Sequence, residues 1–278
     1  MSEGKTLLVD DFRRFFAVSI ASSAEDIQRC FHIRYRVYCE EFGYEPKSRF
    51  ADEFESDSFD SASHHCLITH RSTGRAAGCV RLVETTPGRP LPLETFCGQA
   101  LDASALALLD DNRNRSCEIS RLAVDSDFRR RAGEDQTRFG EPSGIDYSLR
   151  EKRSFSLIAV AAYLSATALA ELTGRNRVFA MMEPFLPRLL SRSGIHFVAA
   201  GSEIDYHGWR APYTIDSADV VAHMAPELSA LYQAIHADFS ESWSASKLLK
   251  ERAELESLRR QPRLGLQALF GTWGLSHA

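Results

Sequence analysis

A carboxylate and a guanidinium interrupt one short apolar stretch of the chain, Ser116–Asp125. The apolar residues of this stretch favour a β-strand, whereas Glu118 and Arg121 are charged. Charged side chains are rarely buried unless they are paired or take part in chemistry. This glutamate is therefore either paired, with the arginine as a candidate partner, or part of a site.

Regular alternation along a strand places Glu118 and Arg121 on opposite faces. The two side chains share a face only if a β-bulge adds one residue between them. Bulges redirect side chains, free backbone N–H groups and are frequent beside active sites. The sequence therefore predicts either a bulged strand with Glu118, Ser120 and Arg121 as catalytic candidates, or a regular strand with a surface salt bridge.

The overall composition limits the classes of function. The chain has 278 residues and a net charge of −5, which gives no general indication of nucleic-acid or membrane binding. Its start lacks a basic segment followed by a long apolar run. The most apolar stretch, Phe155–Ala170, is shorter than the roughly 20 residues that cross a bilayer. We therefore expect a cytoplasmic protein without a transmembrane segment.

The cysteines form no CxxC pair, and most of them lie in apolar stretches. We expect them to be reduced and buried. On a strand, His64, Cys66 and His70 would share a face, but His65 would not. No metal site is predicted.

The order of elements predicts a mixed α/β fold. Apolar periodicity and turn residues indicate helix, strand, helix, hairpin, strand, helix, strand, helix and strand. The hairpin argues against a doubly wound parallel sheet. We predict one α/β domain over residues 1–216 and a helical C-terminal extension over residues 217–278. Further expectations are a helix from Ser23 to near Gly43, a loop at Pro87–Gly98 and a strand at Ile195–Ala200.

Other charged residues also lie within or beside apolar segments. Arg34 lies in the predicted second helix, and Arg81 lies in a predicted strand. A long acidic loop between them contains Asp57 and Asp60. Such a loop either binds a cation or pairs with the arginines.

Basic residues cluster after the central strand. The clusters are Arg129, Arg130 and Arg131, and then Arg150, Lys152 and Arg153. Acidic residues are interleaved with them, so they form either a solvated face or a docking surface for an acidic partner.

Taken together, these residues resemble one family, the acyl-homoserine-lactone synthases and N-acyl amino acid synthases. This family is a branch of the GNAT-type acyltransferases, and the chain looks closest to the acyltransferases associated with exosortase (PEP-CTERM) systems. The resemblance covers roughly Ser23 to Asp216. The matching residues, in chain order, are Arg34, Tyr38, Tyr44, Asp57, Asp60, Arg81, Phe96, Glu118 and Arg121.

The resemblance implies the GNAT (acyl-CoA N-acyltransferase) fold, a mixed and mostly antiparallel sheet flanked by helices. It implies attack of an α-amine on a thioester carbonyl. Glu118 is then the candidate base, although a structural ion pair with Arg121 or Arg81 is the alternative. A backbone N–H near residues 120–122 is the candidate oxyanion donor. The remaining matching residues are candidates for holding the substrate or the acidic loop: Arg34, Tyr38, Tyr44, Asp57, Asp60, Arg81 and Phe96.

The resemblance also implies the acyl donor. Other enzymes of this fold bind acetyl-CoA through a glycine-containing loop, which Arg129–Glu134 matches only in part. The family implies instead an acyl carrier protein that carries the acyl group as a phosphopantetheine thioester. No bound cofactor is expected, and the basic clusters are the candidate docking residues.

Three functions fit these residues. The first is transfer of a fatty acyl group to an amino acid or a related small amine. The second is acyl-homoserine-lactone (autoinducer) synthesis from S-adenosylmethionine. Tyr38 and Tyr44 stand where the lactone branch usually has phenylalanine and tryptophan, which favours the first. The third is a non-catalytic module that binds an acyl chain or a carrier protein.

Overall fold

A computed structural model describes residues 3–129 and 155–260 of the chain. The strands are β1 (Phe16–Ile20), β2 (Ser63–His70), β3 (Ala76–Glu84), β4 (Ser116–Val124), β5 (Arg177–Met182), β6 (Val198–Ala199), β7 (Ile204–Asp205) and β8 (Trp209–Asp216). The α-helices are α1 (Glu3–Phe15), α2 (Ala24–Arg34), α3 (Pro92–Cys97), α4 (Ala103–Asp111), α5 (Leu157–Leu172), α6 (Phe185–Ser191), α7 (Ser217–His223) and α8 (Pro226–Arg260).

The strands form one mixed sheet in the order β1-β2-β3-β4-β5-β8-β6, and β7 pairs with β8. Every neighbouring pair is antiparallel except β4 and β5, which are parallel. A parallel pair requires a crossover, and the segment between these two strands contains the apolar helix α5. The predicted fold class, a mostly antiparallel sheet flanked by helices, is confirmed.

Helices cover both faces of the central strands. Cys79 of β3 packs in one apolar cluster with Ile33 of α2. Its neighbour Gly78 faces the opposite side, where a Cβ atom would lie 2.9 Å from a side-chain carbon of Ile158 in α5. The absence of a side chain at Gly78 therefore allows α5 to approach the sheet closely. Strand β4 pairs with β3, so it also lies between α2 on one face and α5 on the other.

Three local predictions differ from the structure. The second helix does not remain α-helical to Gly43, because a π-helical turn follows it over Tyr35–Glu41. The predicted loop at Pro87–Gly98 contains helix α3, which has proline in its first turn. The predicted strand at Ile195–Ala200 is reduced to the two residues of β6.

The chain forms two compact units, residues 1–240 and 241–278, and the boundary predicted at 216/217 stays a prediction. Buried residues of the first unit include Val220 of α7 and Leu231 and Phe239 of α8. The first part of the predicted extension therefore contributes to the core of that unit. Within the described residues, no helix is both long and apolar enough to cross a membrane. The six cysteines are free thiols, and all of them are buried, as predicted.

Candidate active site

Strand β4 contains the bulge that the charge pattern predicted. Cys79 of β3 pairs with Ala123 of β4. Two residues further along β3, Arg81 pairs with Ser120, three residues away on β4, so β4 has one extra residue in this interval. Arg121 lies there with a φ of 50°, a left-handed conformation that costs an arginine about 1–2 kcal/mol. The bulge is confirmed, and Arg121 lines the same cavity as Glu118.

The cavity begins where β4 and β5 cease to pair. The two strands pair only from Ser116 to Glu118 on β4. Residues 118–122 of β4 and 180–183 at the end of β5 both line a cavity of about 90 Å³. Further parts of its wall come from α3, the segment after α2, the β7–β8 turn and the start of β8, with Tyr163 of α5 and Leu186 of α6. Backbone groups of the bulged strand therefore border the cavity instead of continuing the sheet.

Glu118 is a buried carboxylic acid in the wall of this cavity. Only 3% of it is exposed, and its Oε2 accepts a hydrogen bond of 2.7 Å from the backbone N–H of Leu93 in α3. Burial raises the pKa of Glu118 to about 8, although the Leu93 hydrogen bond and the charges of Arg81 and Arg121 act in the opposite direction. Within the described residues it makes no ion pair. Its ionisation near neutral pH suits a general base.

Three arginines and three carboxylates form a charged network next to Glu118. Its members are Arg34, Arg81, Arg121, Glu55, Asp57 and Asp60. Arg34 is fully buried and binds Asp60 through two parallel hydrogen bonds of 2.7 and 3.0 Å. Its Nε donates to Glu55. Ion pairs with Asp60 and Glu55 compensate the buried charge of Arg34.

The other two arginines connect this network to the bulged strand. Arg81 donates to Asp57 at 2.6 Å, to Asp60 at 2.8 Å and to the hydroxyl of Ser120 at 3.1 Å. Arg121 lies 3.1 Å from Glu55 and 3.4 Å from Asp57. The acidic loop is thereby held against β4, as one of the two sequence alternatives predicted.

The pKa values of the three acids in the network are lowered, whereas the pKa of Glu118 is raised. Burial alone would raise the pKa of Asp60, but the hydrogen bonds and charges of Arg34 and Arg81 lower it below its ordinary value. The pKa values of Glu55 and Asp57 are lowered in the same way by the arginines around them. These three acids therefore stay ionised at neutral pH, whereas Glu118 is poised to exchange a proton.

Four residues predicted to bind substrate lie behind the cavity wall. Arg34, Asp57, Asp60 and Arg81 belong to the network but are not among the residues that line the cavity. From these positions their ion pairs and hydrogen bonds hold the acidic loop and Arg121 in place. The substrate contacts predicted for them stay a prediction.

The predicted aromatic residues do line the cavity. The Tyr38 hydroxyl donates a 2.8 Å hydrogen bond to the Leu122 carbonyl, which anchors the bulge. The guanidinium of Arg121 lies over the Tyr38 ring at 5.5 Å. Tyr44 and Phe96 also belong to the wall, and 47% of Phe96 is exposed.

Sequence reasoning missed the contribution of the β7–β8 turn. Tyr206 stacks on Phe96 with ring centroids 6.2 Å apart, and His207 contacts the Tyr44 ring at 5.3 Å. Arg210, at the start of β8, completes this part of the wall. No motif marks these residues. Glu55 is not among the residues that match the family, but the spacing Glu55-x-Asp57-x-Phe59-Asp60 already indicated a group of carboxylates able to hold the arginines.

The predicted docking residues fall into two groups. Arg129 is 2% exposed, forms an ion pair with Glu41 and lies over the ring of Phe42. A buried, paired arginine does not offer a docking surface, so this placement argues against the predicted role of Arg129. The other five, Arg130, Arg131, Arg150, Lys152 and Arg153, lie outside the described residues.

One family of known proteins matches the part of the chain that contains the charged network and Glu118. Residues 33–138 match the family described as "Acetyltransferase (GNAT) domain". This range includes the whole charged network and Glu118. No curated protein matches the sequence. The predicted enzyme class, an acyltransferase, is confirmed at the level of this domain match.

Solved structures show the same fold at low sequence identity. TofI, in a ternary complex with an inhibitor and MTA, has a TM-score of 0.54 and 19% identity, covering 78% of this chain and 99% of its own. FeeM, an N-acyl amino acid synthase from uncultured soil microbes, has a TM-score of 0.50 and 13% identity, covering 77% and 97%. BjaI, a CoA-dependent acyl-homoserine lactone synthase with SAM and isopentyl-CoA, has a TM-score of 0.50 and 18% identity, covering 80% and 89%. These likenesses confirm the predicted GNAT fold.

Proposed function

We propose that this protein transfers a fatty acyl group from a thioester to the α-amine of an amino acid or a related small amine. The observation that carries the proposal is Glu118, a buried acid with a pKa of about 8 in the wall of a cavity beside a bulged strand. A base that ionises near neutral pH suits an ammonium group, which must lose a proton before it can attack.

The reaction proceeds in two steps. The Glu118 carboxylate takes a proton from the acceptor ammonium, and the amine nitrogen then bonds to the thioester carbonyl carbon. Backbone N–H groups of the stretch Ser120–Leu122 stabilise the oxyanion that forms. The C–S bond breaks, and the thiolate leaves and takes up the proton that Glu118 holds. The ionised Glu118 then accepts the second surplus proton of the nitrogen and passes it to water. The products are an amide, a free thiol and one proton released to solvent, and Glu118 is again ionised.

The donor we propose is an acyl carrier protein with its phosphopantetheine thioester. The support is the motif resemblance, which extends to the acyltransferases of exosortase systems, and the partial match to a CoA-binding loop. Among the proposed docking residues, Arg129 lies in the described part of the chain, and because it is buried it adds nothing to this support. Since BjaI is described as CoA-dependent, acyl-CoA is the alternative donor.

A second function has comparable support from the fold. BjaI is described as an acyl-homoserine lactone synthase and was solved with SAM, so lactone synthesis from S-adenosylmethionine is the alternative reaction. The tyrosines at positions 38 and 44, in place of the phenylalanine and tryptophan usual in that branch, favour amide formation without a lactone.

A thiol-release assay tests the proposal. The purified protein is incubated with acyl carrier protein or CoA thioesters and a panel of amines, and both the free thiol and the product mass are measured. We expect thiol release that depends on the amine and falls at least a hundredfold in Glu118→Gln. No release with any donor and amine would reject the proposed function. A wild-type rate in Glu118→Gln would reject the base.

A further inference from the structure

The cavity beside Glu118 is smaller than the reactants of the proposed reaction. Its volume is about 90 Å³. A cavity that binds benzene measures about 150 Å³, and pockets for drug-sized ligands measure about 300–1,000 Å³. A fatty acyl chain with its thioester and an amine contains many more atoms than benzene. Part of the cavity wall therefore has to move before both reactants can enter.

Two parts of the wall are held by buried or paired groups. The bulged strand β4 is fixed by the charged network behind it. Helix α3 is fixed by the hydrogen bond from the Leu93 N–H to Glu118, and by two parallel hydrogen bonds of 2.7 Å from Arg113 to Glu94. Moving either part would break charge-assisted or buried hydrogen bonds, which is costly.

The β7–β8 turn is attached more weakly. Strand β7 has two residues, which pair with the first two residues of β8. Within the turn, the Tyr206 N–H donates a 3.0 Å hydrogen bond to the Gly208 carbonyl. The φ angles of His207 and Gly208 are 55° and 93°, and a histidine adopts such an angle at a cost. A short hairpin with strain at its tip belongs to the segments that open locally.

The same turn spans the cavity from one wall to the other. The ring of Tyr206 stacks on Phe96 of α3 with centroids 6.2 Å apart, and the ring of His207 lies 5.3 Å from that of Tyr44 in the segment after α2. All four rings line the cavity. Ring contacts are individually weak. The turn can therefore release both of these contacts while the charged network stays intact.

We propose that the β7–β8 turn, residues 204–209, is a strap that closes the cavity and opens to admit the acyl thioester. A long acyl chain then binds only to molecules in which the strap has released Phe96 and Tyr44. The apparent affinity for such a chain is reduced by the fraction of molecules that are open, whereas a ligand that fits the closed cavity is not affected. This inference rests on the proposed transfer of a fatty acyl group from a thioester.

Gly208→Ala tests the strap without changing a residue of the cavity wall. Gly208 does not line the cavity, and a Cβ atom there would point into open space, so the change acts through the φ of 93°. An alanine is strained in this conformation, so the closed turn is weakened and we expect it to open about tenfold more often. Gly88→Ala is the matched control, because Gly88 has a φ of 82°, an equally open Cβ position and a place outside the cavity wall.

Two measurements follow the strap. In hydrogen exchange of the substrate-free wild type, the amides of residues 204–209 should exchange at least tenfold faster than those of 211–216, and about tenfold faster again in Gly208→Ala. Calorimetry then measures binding of S-dodecyl-4′-phosphopantetheine, a thioether that cannot transfer its chain. Gly208→Ala should bind it about tenfold more tightly than wild type, while the affinity for the S-ethyl analogue changes less than about threefold. Gly88→Ala should match wild type in both measurements.

The outcomes separate the strap from the proposed function. Turn amides that are as protected as those of β8, or an unchanged affinity of Gly208→Ala for the dodecyl thioether, would overturn the strap and leave acyl transfer intact. An equal gain for the ethyl and dodecyl thioethers would also overturn it, because the effect would then not depend on chain size. No binding of the dodecyl thioether to any of the three proteins would instead reject the proposed thioester donor, and with it the proposed role of the strap.

Discussion

The unusual ionisation of Glu118 gives a quantitative prediction. Burial raises its pKa to about 8, and only the ionised form accepts a proton. At pH 7 about one tenth of the molecules then carry the base in its ionised form, and at pH 9 about nine tenths do. We therefore expect kcat/KM to rise about tenfold between these two pH values, along the curve of a single ionisation.

The same ionisation affects folding stability. Between pH 4.5 and about 8 the unfolded chain releases the proton of Glu118, while the folded chain keeps it. Stability therefore falls as pH rises through this range, because the folded state binds more protons. At about 1.4 kcal/mol for each pKa unit, the whole loss is about 5 kcal/mol. Glu118→Gln keeps an acceptor for the Leu93 N–H but does not titrate, so its stability relative to wild type should increase from pH 5 to 8.

The assay must exclude ionisation of the acceptor. Hydroxylamine is largely deprotonated above pH 7, so its acylation reports the enzyme base rather than the nucleophile. Urea unfolding of wild type and Glu118→Gln at several pH values measures the stability difference, and Glu203→Gln, at an exposed position, is the matched control. A rate that does not change between pH 7 and 9 would refute the reasoning about catalysis. A stability difference that does not change with pH would refute the reasoning about burial.

Three further predictions follow from individual contacts. Asp60→Asn should lower the free energy of unfolding by about 3–5 kcal/mol, because it leaves the buried charge of Arg34 poorly compensated; a loss below 1 kcal/mol in urea unfolding would contradict this. Tyr38→Phe removes the hydrogen bond to the Leu122 carbonyl and should cost about 1 kcal/mol, which thermal unfolding can measure; an unchanged melting temperature would argue against this anchor. Glu94→Gln weakens an ion pair that holds α3 and its hydrogen bond to Glu118, so the pH–rate profile should shift to higher pH; an unshifted profile would show that α3 does not tune the proposed base.

Local patterns predicted much of the fold because the forces that set them are local. The Ser23 hydroxyl accepts a hydrogen bond from the backbone N–H of Asp26 at the start of α2, where the sequence predicts that this helix begins. Apolar alternation and a glycine-containing turn identified the β2–β3 hairpin. The bulge in β4 was predictable because two charges in one apolar strand, Glu118 and Arg121, can only share a space if the alternation is interrupted.

Features that depend on tertiary contacts were not predictable. The π-helical turn at Tyr35–Glu41 has no distinct sequence signal, since the i→i+5 pattern is stabilised by the surroundings. The sequence correctly identified Arg34 and Arg81 as charged residues in apolar segments. Only the structure shows that both form hydrogen bonds with acids of the same loop. Arg210 comes from a strand 89 positions beyond Arg121 in the chain, and no spacing rule connects the two.

The intact mass of the product tests the central claim most directly. Wild-type protein is incubated with an acyl thioester and an equimolar mixture of amino acids and S-adenosylmethionine, and the products are analysed by mass spectrometry. The proposed function predicts an N-acyl amino acid whose mass equals the acid plus the amino acid minus one water, absent in Glu118→Gln. An acyl-homoserine lactone with release of methylthioadenosine, or an unconsumed thioester, would contradict it.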